Sequence, residues 1–196
     1  YGIPDDAFVL LTLGRLHHVK RPDIAINTLA AVRSHNLKAH LILAGPDSEG
    51  LAPALVAQAR ELQVDSYVHF TGLLEGDDVV QVLVDADLLL MPSEVVENFG
   101  RSAAEAMAAG LPVIVSTGIA IGAWAEKAGA GLQVACSDEA FAQAVITLLG
   151  MPDELPEMGR RGTEIAQREF AGDAVAQKML AHYQSIIHTG APLGPG

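Results

Sequence analysis

AFVLLTLGRLHHVKRPDIAINTLAAVRSHNLKAHLILAG, residues 7–45, changes its periodicity twice. AFVLLTLG (7–14) is a short apolar run that ends in glycine, and AHLILAG (39–45) is another. Both read as buried strands. Between them residues 22–35 read as a helix, with Pro22 near the first turn and Ile24, Leu29 and Val32 among the apolar positions. Strand, helix and strand at this spacing is the unit from which parallel sheets are built.

The alternation continues. Residues 51–63 read as a helix, SYVHFTG (66–72) as a strand, 77–85 as a short helix and DLLLMPS (87–93) as a fourth strand. A helix then begins near Phe99 or Gly100, and LPVIVS (111–116) is a fifth strand. GLQVA (131–135) is a sixth, reached through a glycine-rich loop, and helices at about 138–149, 155–168 and 173–187 complete the chain. The expected fold class is α/β: a Rossmann-like six-stranded parallel sheet with helices on both faces. One domain spans 1–187, and HTGAPLGPG (188–196) is a flexible tail.

Half of the residues are apolar, and the net charge is −12. That charge argues against a nucleic-acid or anionic-membrane surface. No apolar run approaches the ~20 residues that span a bilayer. The one cysteine, Cys136, excludes a disulfide framework within the chain, and is expected to be a buried structural thiol of a cytoplasmic protein. The sequence reads as one half of a longer protein.

In open α/β sheets ligands bind outside the carboxyl ends of the strands. This directs attention to residues 14–21, 45–50, 72–77, 93–101 and 116–123. GRLHHVKRPD (14–23) holds Arg15, Lys20 and Arg21 in a chain with only 12 lysines and arginines. Cations at a strand's carboxyl end suit an anionic ligand such as a phosphate. A solvated surface loop is the competing reading. A single Gly14 stands where a dinucleotide site would need GxGxxG, and the loop is not a P-loop. His17 and His18 read as loop residues near that ligand.

ENFGRSAAEAMAAG (97–110) sets two acids around a helix start. Asn98 is the N-cap candidate, which places the first free N–H groups and the positive dipole end at the crevice. Gly100 would let a phosphate approach closely. Arg101, a cation in a first turn, opposes the dipole unless an anion is bound there, or else points to solvent. Glu105 lies roughly 8 Å along the axis from Gly100, placed to accept from a ribose diol. Glu97, before the helix, reaches beyond a phosphate. Both acids also have plain readings, as a solvated helix residue and a dipole-favoured one.

Taken in order, GRL-x3-K at 14–20, AG at 44–45, V-x-F-x-G at 68–72, AD-x4-PS at 86–93 and E-x-FG-x4-EAMAAGLPV at 97–113 resemble the donor-binding half of retaining glycosyltransferases of the GT-B fold. The similarity is closest to the large group that includes sucrose synthases, glycogen synthases and bacterial glycan transferases, and covers about residues 7–187. The resemblance implies a nucleotide-sugar donor. Gly14, Arg15 and Lys20 match positions at the donor diphosphate, and Glu97 matches a position that bonds hexose hydroxyls. Backbone around Asn98, Phe99 and Gly100 holds sugar and phosphate, and Glu105 binds the ribose. The base rests near Thr71–Leu74, hence at Leu73 and Leu74. Arg15, Lys20 and Glu97 are then the catalytic group, with no metal and no cofactor beyond the donor itself.

The resemblance further implies an N-terminal half that binds the acceptor, the only part through which a membrane would be met. Residues 173–187 would cross back to it, or else pack on the sheet or expose Val175, Met179, Leu180 and Tyr183. Two departures stand out. Three residues separate Ser93 from Glu97 where two are common, and the 116–131 loop lacks the usual Gly-Gly…Pro-Glu run, so its contacts are open. Other readings remain: a noncatalytic nucleotide-sugar sensor or interaction module, another GT-B enzyme such as a sugar-nucleotide epimerase, or, against the missing glycine fingerprint, a dehydrogenase.

Overall fold

A computed structural model of the chain describes residues 1–94 and 99–189. Six strands alternate with helices: β1 (Phe8–Leu13), α1 (Pro22–Ser34), β2 (Ala39–Ala44), α2 (Ala52–Glu61), β3 (Val68–Gly72), α3 (Asp77–Asp85) and β4 (Leu88–Met91). After them come α4 (Arg101–Ala108), β5 (Val113–Ser116), α5 (Ala120–Ala128), β6 (Gly131–Val134), α6 (Asp138–Leu149), α7 (Leu155–Phe170) and α8 (Gly172–Thr189). All the strands are parallel, in the order β3-β2-β1-β4-β5-β6. This is the expected Rossmann-like sheet.

Strand periodicity sends adjacent residues to opposite faces, and both faces are buried. Leu10, Leu41 and Leu88 point to one side, where they meet Ile24 and Leu29 of α1, Leu55 of α2 and Phe141 and Val145 of α6. Leu11, Ile42 and Leu89 point to the other, against Val82 of α3, Met107 of α4, Ala125 of α5 and Ile165 of α7. Continuous apolar strands therefore belong at the centre of this sheet, and every residue of β2 is buried.

Three expectations need correction. The segment 116–131 is not simply a glycine-rich loop, because Ala120–Ala128 is a helix, α5. Its signal was Ile121 and Ala125 four apart on a buried face, closed by Gly129 in a left-handed C-cap. Gly122 lies inside that helix, while Gly118, at φ 93°, shapes the turn before it. Likewise α4 starts at Arg101, and its N-cap is Gly100 in the left-handed region, not Asn98. Cys136 is only half-buried, at the margin of the α1–α6 core. Helix α8 packs on α7 and runs to Thr189, leaving Val175, Met179, Leu180 and Tyr183 exposed. The expected apolar stripe is thus exposed.

The glycines that end three strands meet at the carboxyl edge. Gly14 N–H donates to Ala44 O at 2.8 Å, and Gly45 N–H to Gly72 O at 2.9 Å. A Cβ on Gly45, whose φ is 151°, would lie 1.9 Å from the Gly14 carbonyl oxygen. Only hydrogen fits there.

Near the other edge, His40 of β2 is 8% exposed, and its Nδ1 lies 3.0 Å from Nε2 of His69 in β3. One of the facing nitrogens donates and the other accepts, so a further proton would set two donors against each other. Burial, then His69 and Arg33, hold the His40 pKa below the usual 6.5, and burial also lowers that of His69. The unfolded chain therefore binds protons more readily. Stability from this pair is present above the unfolded pKa and is lost as pH falls below it.

Gly45→Ala should cost about 2–4 kcal/mol in urea unfolding, from overpacking and backbone strain together; a neutral result would mean that the strand ends can separate freely. The melting temperature should fall on acidification from about pH 7.5 to 5.5, and His69→Gln should flatten that slope. An unchanged slope would assign the pH dependence to other groups.

Candidate functional site

The sheet order reverses between β1 and β4, so the chain leaves these neighbours in opposite directions and opens a crevice at their carboxyl ends. Gly14, Arg15 and Lys20 line one cleft there with Thr12, Met91, Pro92 and Ser102 of the first turn of α4. The cleft encloses only about 20 Å³, so a ligand would lie along its rim. Arg15 is exposed and Lys20 half-buried. The buried Thr12 hydroxyl has no hydrogen-bond partner among the described residues. A far roomier hollow, about 680 Å³, lies at the other end of the strands, but Asp5, Asp6, Asp85 and Asp87 line it and would repel an anion.

Arg21, the third cation of the β1–α1 loop, is already engaged. Its Nε and Nη2 grip the Asp23 carboxylate at 2.7–3.0 Å, and Nη1 reaches Glu94. Hydrogen bonds to Asp23 and then Glu94 outweigh burial and raise its pKa further. Arg21 sits at φ 44°, a left-handed conformation that sets the entry to Pro22 and α1. It is a structural cation.

A buried relay fixes the two loops to each other. Ser116, at the end of β5, is fully buried, and its Oγ accepts from Ser93 N–H at 3.0 Å. Ser93 Oγ donates in turn to Val19 O at 3.2 Å, and Glu94 N–H donates to the same carbonyl at 3.0 Å. The β1–α1 loop is tied on its other flank to the β2–α2 loop. Leu16 N–H donates to Pro46 O at 2.9 Å, and Ser48 Oγ to Leu16 O at 3.1 Å. Glu49 accepts from His18 N–H at 2.9 Å, a bond that, ahead of the His18 ring, holds its carboxyl below the usual range. Ser93 enters the sequence reading only as the end of the AD-x4-PS motif, and Ser48 and Ser116 carry no signal of their own.

The second stretch is partly brought to the site. Glu97 and Asn98 lie outside the described residues. Phe99 turns its ring into the core, 5.1 Å from Phe170 and edge-on, and its carbonyl accepts from Ile121 N–H at 3.0 Å. Phe170 also meets Trp124 edge-on at 5.7 Å. At Gly100, φ is 91°, and a Cβ would lie 2.7 Å from Ile121 Cγ2 and 2.8 Å from Ile119 Cγ2. Packing against α5 thus demands this glycine, whatever lies across the crevice. Arg101 points to solvent at 89% exposure, 3.8 Å from Glu105, which is 47% exposed. That weak exposed pair leaves Glu105 accessible, one turn beyond Ser102. Leu73 and Leu74, after β3, do not line the cleft with Arg15 and Lys20: Leu73 is exposed, and Leu74 packs on the α3–α4 core.

Ser116→Ala should remove the acceptor of the buried Ser93 N–H and cost about 1–3 kcal/mol in denaturant unfolding. Full stability would mean that the Ser93 amide has a second acceptor.

Against known proteins, residues 7–151 match the family described as Glycosyl transferases group 1. The chain is 31% identical over 194 residues to a D-inositol 3-phosphate glycosyltransferase of Segniliparus rotundus, covering 97% of this chain and 42% of that protein. It is 33% identical to the protein of the same name from Saccharomonospora viridis, covering 95% and 44%. The chain thus spans less than half the length of these relatives. Among solved structures, WaaG, a glycosyltransferase involved in lipopolysaccharide biosynthesis, superposes with a TM-score of 0.77 at 26% identity, over 97% of this chain and 49% of WaaG. Anabaena HepE, solved with UDP-glucose, gives 0.80 at 24% identity over 92% and 49%, a likeness of fold. With the motifs, the strand order and the family match in agreement, this chain belongs to the Glycosyl transferases group 1 family.

Proposed function

We propose that the chain is the donor-binding half of a retaining glycosyltransferase that moves a sugar from a nucleoside-diphosphate sugar to an acceptor held by an N-terminal half. The observation that carries this reading is the convergence of Arg15, Lys20 and the first turn of α4 on the crevice between β1 and β4. Two side-chain cations and a helix start concentrate positive potential at one point of an acidic protein. Further support is the length of the relatives, about twice that of this chain.

In this reading Arg15 and Lys20 bind the diphosphate and stabilise the charge that grows on it as the bond between the sugar's anomeric carbon and the phosphate oxygen breaks. The electron pair of that bond stays on the departing diphosphate. The acceptor oxygen attacks from the same face, and its proton passes to the leaving phosphate oxygen. Glu97 and the 98–100 backbone orient the hexose. Glu105 accepts from the ribose hydroxyls, and the base lies toward Leu73 and Leu74. The fixed cations do the neutralising, so the donor chemistry draws on no metal and no cofactor. We place the enzyme in the cytoplasm; among the described residues no helix is long and apolar enough to cross a membrane. Without an acceptor half, positioning worth roughly 7–11 kcal/mol is absent, so this chain should bind donor and not turn it over.

Calorimetric titration with UDP, GDP and ADP tests the reading. Arg15→Ala and Lys20→Ala should each weaken nucleotide binding by about 1.5–3 kcal/mol while leaving nucleoside binding nearly unchanged. In the same titrations Glu105→Gln should weaken a ribonucleotide more than its 2′,3′-dideoxy analogue. Binding of no nucleoside diphosphate at millimolar concentration would overturn the donor site, and robust transfer by this chain alone would overturn the half-enzyme reading.

A further inference from the structure

The β1–α1 loop carries a second constellation, separate from its cations. His17, His18 and Glu49 bring three ligand atoms within 4.8 Å of one another. His17 Nε2 lies 3.0 Å from Glu49 Oε1, and His18 Nδ1 lies 2.8 Å from Oε2 and 3.1 Å from Oε1. The two imidazoles stack with their centroids 4.5 Å apart, so both present a nitrogen to the same carboxylate. We propose that His17, His18 and Glu49 form a binding site for a divalent transition cation of the Zn²⁺ class, which clips the β1–α1 loop to the β2–α2 loop.

The donor set selects the class of ion. Two imidazole nitrogens and one carboxylate suit Zn²⁺ or Co²⁺, whereas Mg²⁺ and Ca²⁺ prefer oxygen ligands alone. Metal–ligand bonds of about 2.0–2.2 Å in a tetrahedron set ligand atoms roughly 3.3–3.6 Å apart. The nitrogen-to-oxygen separations observed, 2.8–3.1 Å, fall short of that by roughly half an ångström, and all three ligand atoms lie within 4.8 Å of one another. Three protein ligands leave a fourth position, and it opens to water, because the His18 side chain is 65% exposed while those of His17 and Glu49 are 27% and 29% exposed. Solvent therefore has an entry path to the carboxylate.

The scaffold around the ligands is already fixed. A backbone bridge joins Leu16 to Asp47, the Ser48 hydroxyl bonds Leu16 O, and His18 N–H holds Glu49 Oε2. Ordering the ligands therefore costs little on binding. Without an ion, the ring nitrogens that face Glu49 approach it as N–H donors; a cation replaces both protons with one shared charge. The cost is one long bond. His17 Nδ1 accepts from Val19 N–H at 3.3 Å, and once Nε2 is on the metal, Nδ1 carries the proton and loses that contact. The site is independent of the nucleotide reading: the three ligands do not line the cleft of Arg15 and Lys20.

Zn²⁺ titrated calorimetrically into the EDTA-treated chain, with Co²⁺ absorption as a second readout, tests the proposal. A single ion should bind at micromolar concentration and give the visible spectrum of a nitrogen- and oxygen-ligated tetrahedral Co²⁺. His18→Ala and Glu49→Gln should each weaken binding by about tenfold or more, and His69→Gln, at the distant imidazole pair, should not. His18 is largely exposed, so its variant keeps the fold, which a melting curve in EDTA verifies. Uptake only above millimolar Zn²⁺, or uptake that His18→Ala and Glu49→Gln leave intact, would overturn the site.

Discussion

One carbonyl, that of Val19, joins the two halves of the crevice. It accepts from Ser93 Oγ and from Glu94 N–H, and Ser93 is itself held from below by the buried Ser116. Parallel strands give no direct connection between the loops at their carboxyl ends, because each loop leads away into its own crossover. The relay supplies that connection across β1, β4 and β5. It ties the β1–α1 loop, which carries Arg15 and Lys20, to the residues that follow β4 and to the end of β5. Arg21 adds an outer strut to Asp23 and Glu94.

Much of the fold was legible because buried parallel strands cannot hide their composition. The runs at 7–14 and 39–45 could only be satisfied between two layers of helices, and the order of elements then dictated the sheet. The helix at 120–128 has a weak sequence signal because it is short and carries a glycine, so its period barely repeats. The start of α4 was misplaced because Asn98 outranks Gly100 as a cap on local propensity alone. What decided the matter was the pair Ile119 and Ile121, close in space and about twenty residues away in sequence.

The site was legible in its charges and less so in their partners. Sequence spacing places Arg15 and Lys20 at the crevice, and Asp23, the main partner of Arg21, lies in the same loop, yet its second partner, Glu94, is 73 residues distant. Phe99 looked like part of a ligand loop. In the structure its ring belongs to an aromatic row with Phe170 and Trp124, which fastens the residues before α4 to the junction of α7 and α8. No local pattern predicts such a row, because its members come from three separate elements. The partners of the relay serines are hidden for the same reason: a buried hydroxyl declares itself only through the groups it bonds.

That aromatic row has an optical consequence. Trp124 is the chain's single tryptophan, and it sits at the α5–α7 seam against Phe170. Tryptophan emission therefore reports on that seam and is blind to the β2–β3 side of the sheet. The histidine pair and Tyr67 stand on that blind side, where Arg33 lies 3.1 Å over the Tyr67 ring. An unfolding curve followed by tryptophan emission would coincide with one followed by far-UV dichroism only if both flanks of the sheet melt together. The placement of one indole thus turns the two signals into a direct measure of cooperativity across the six strands.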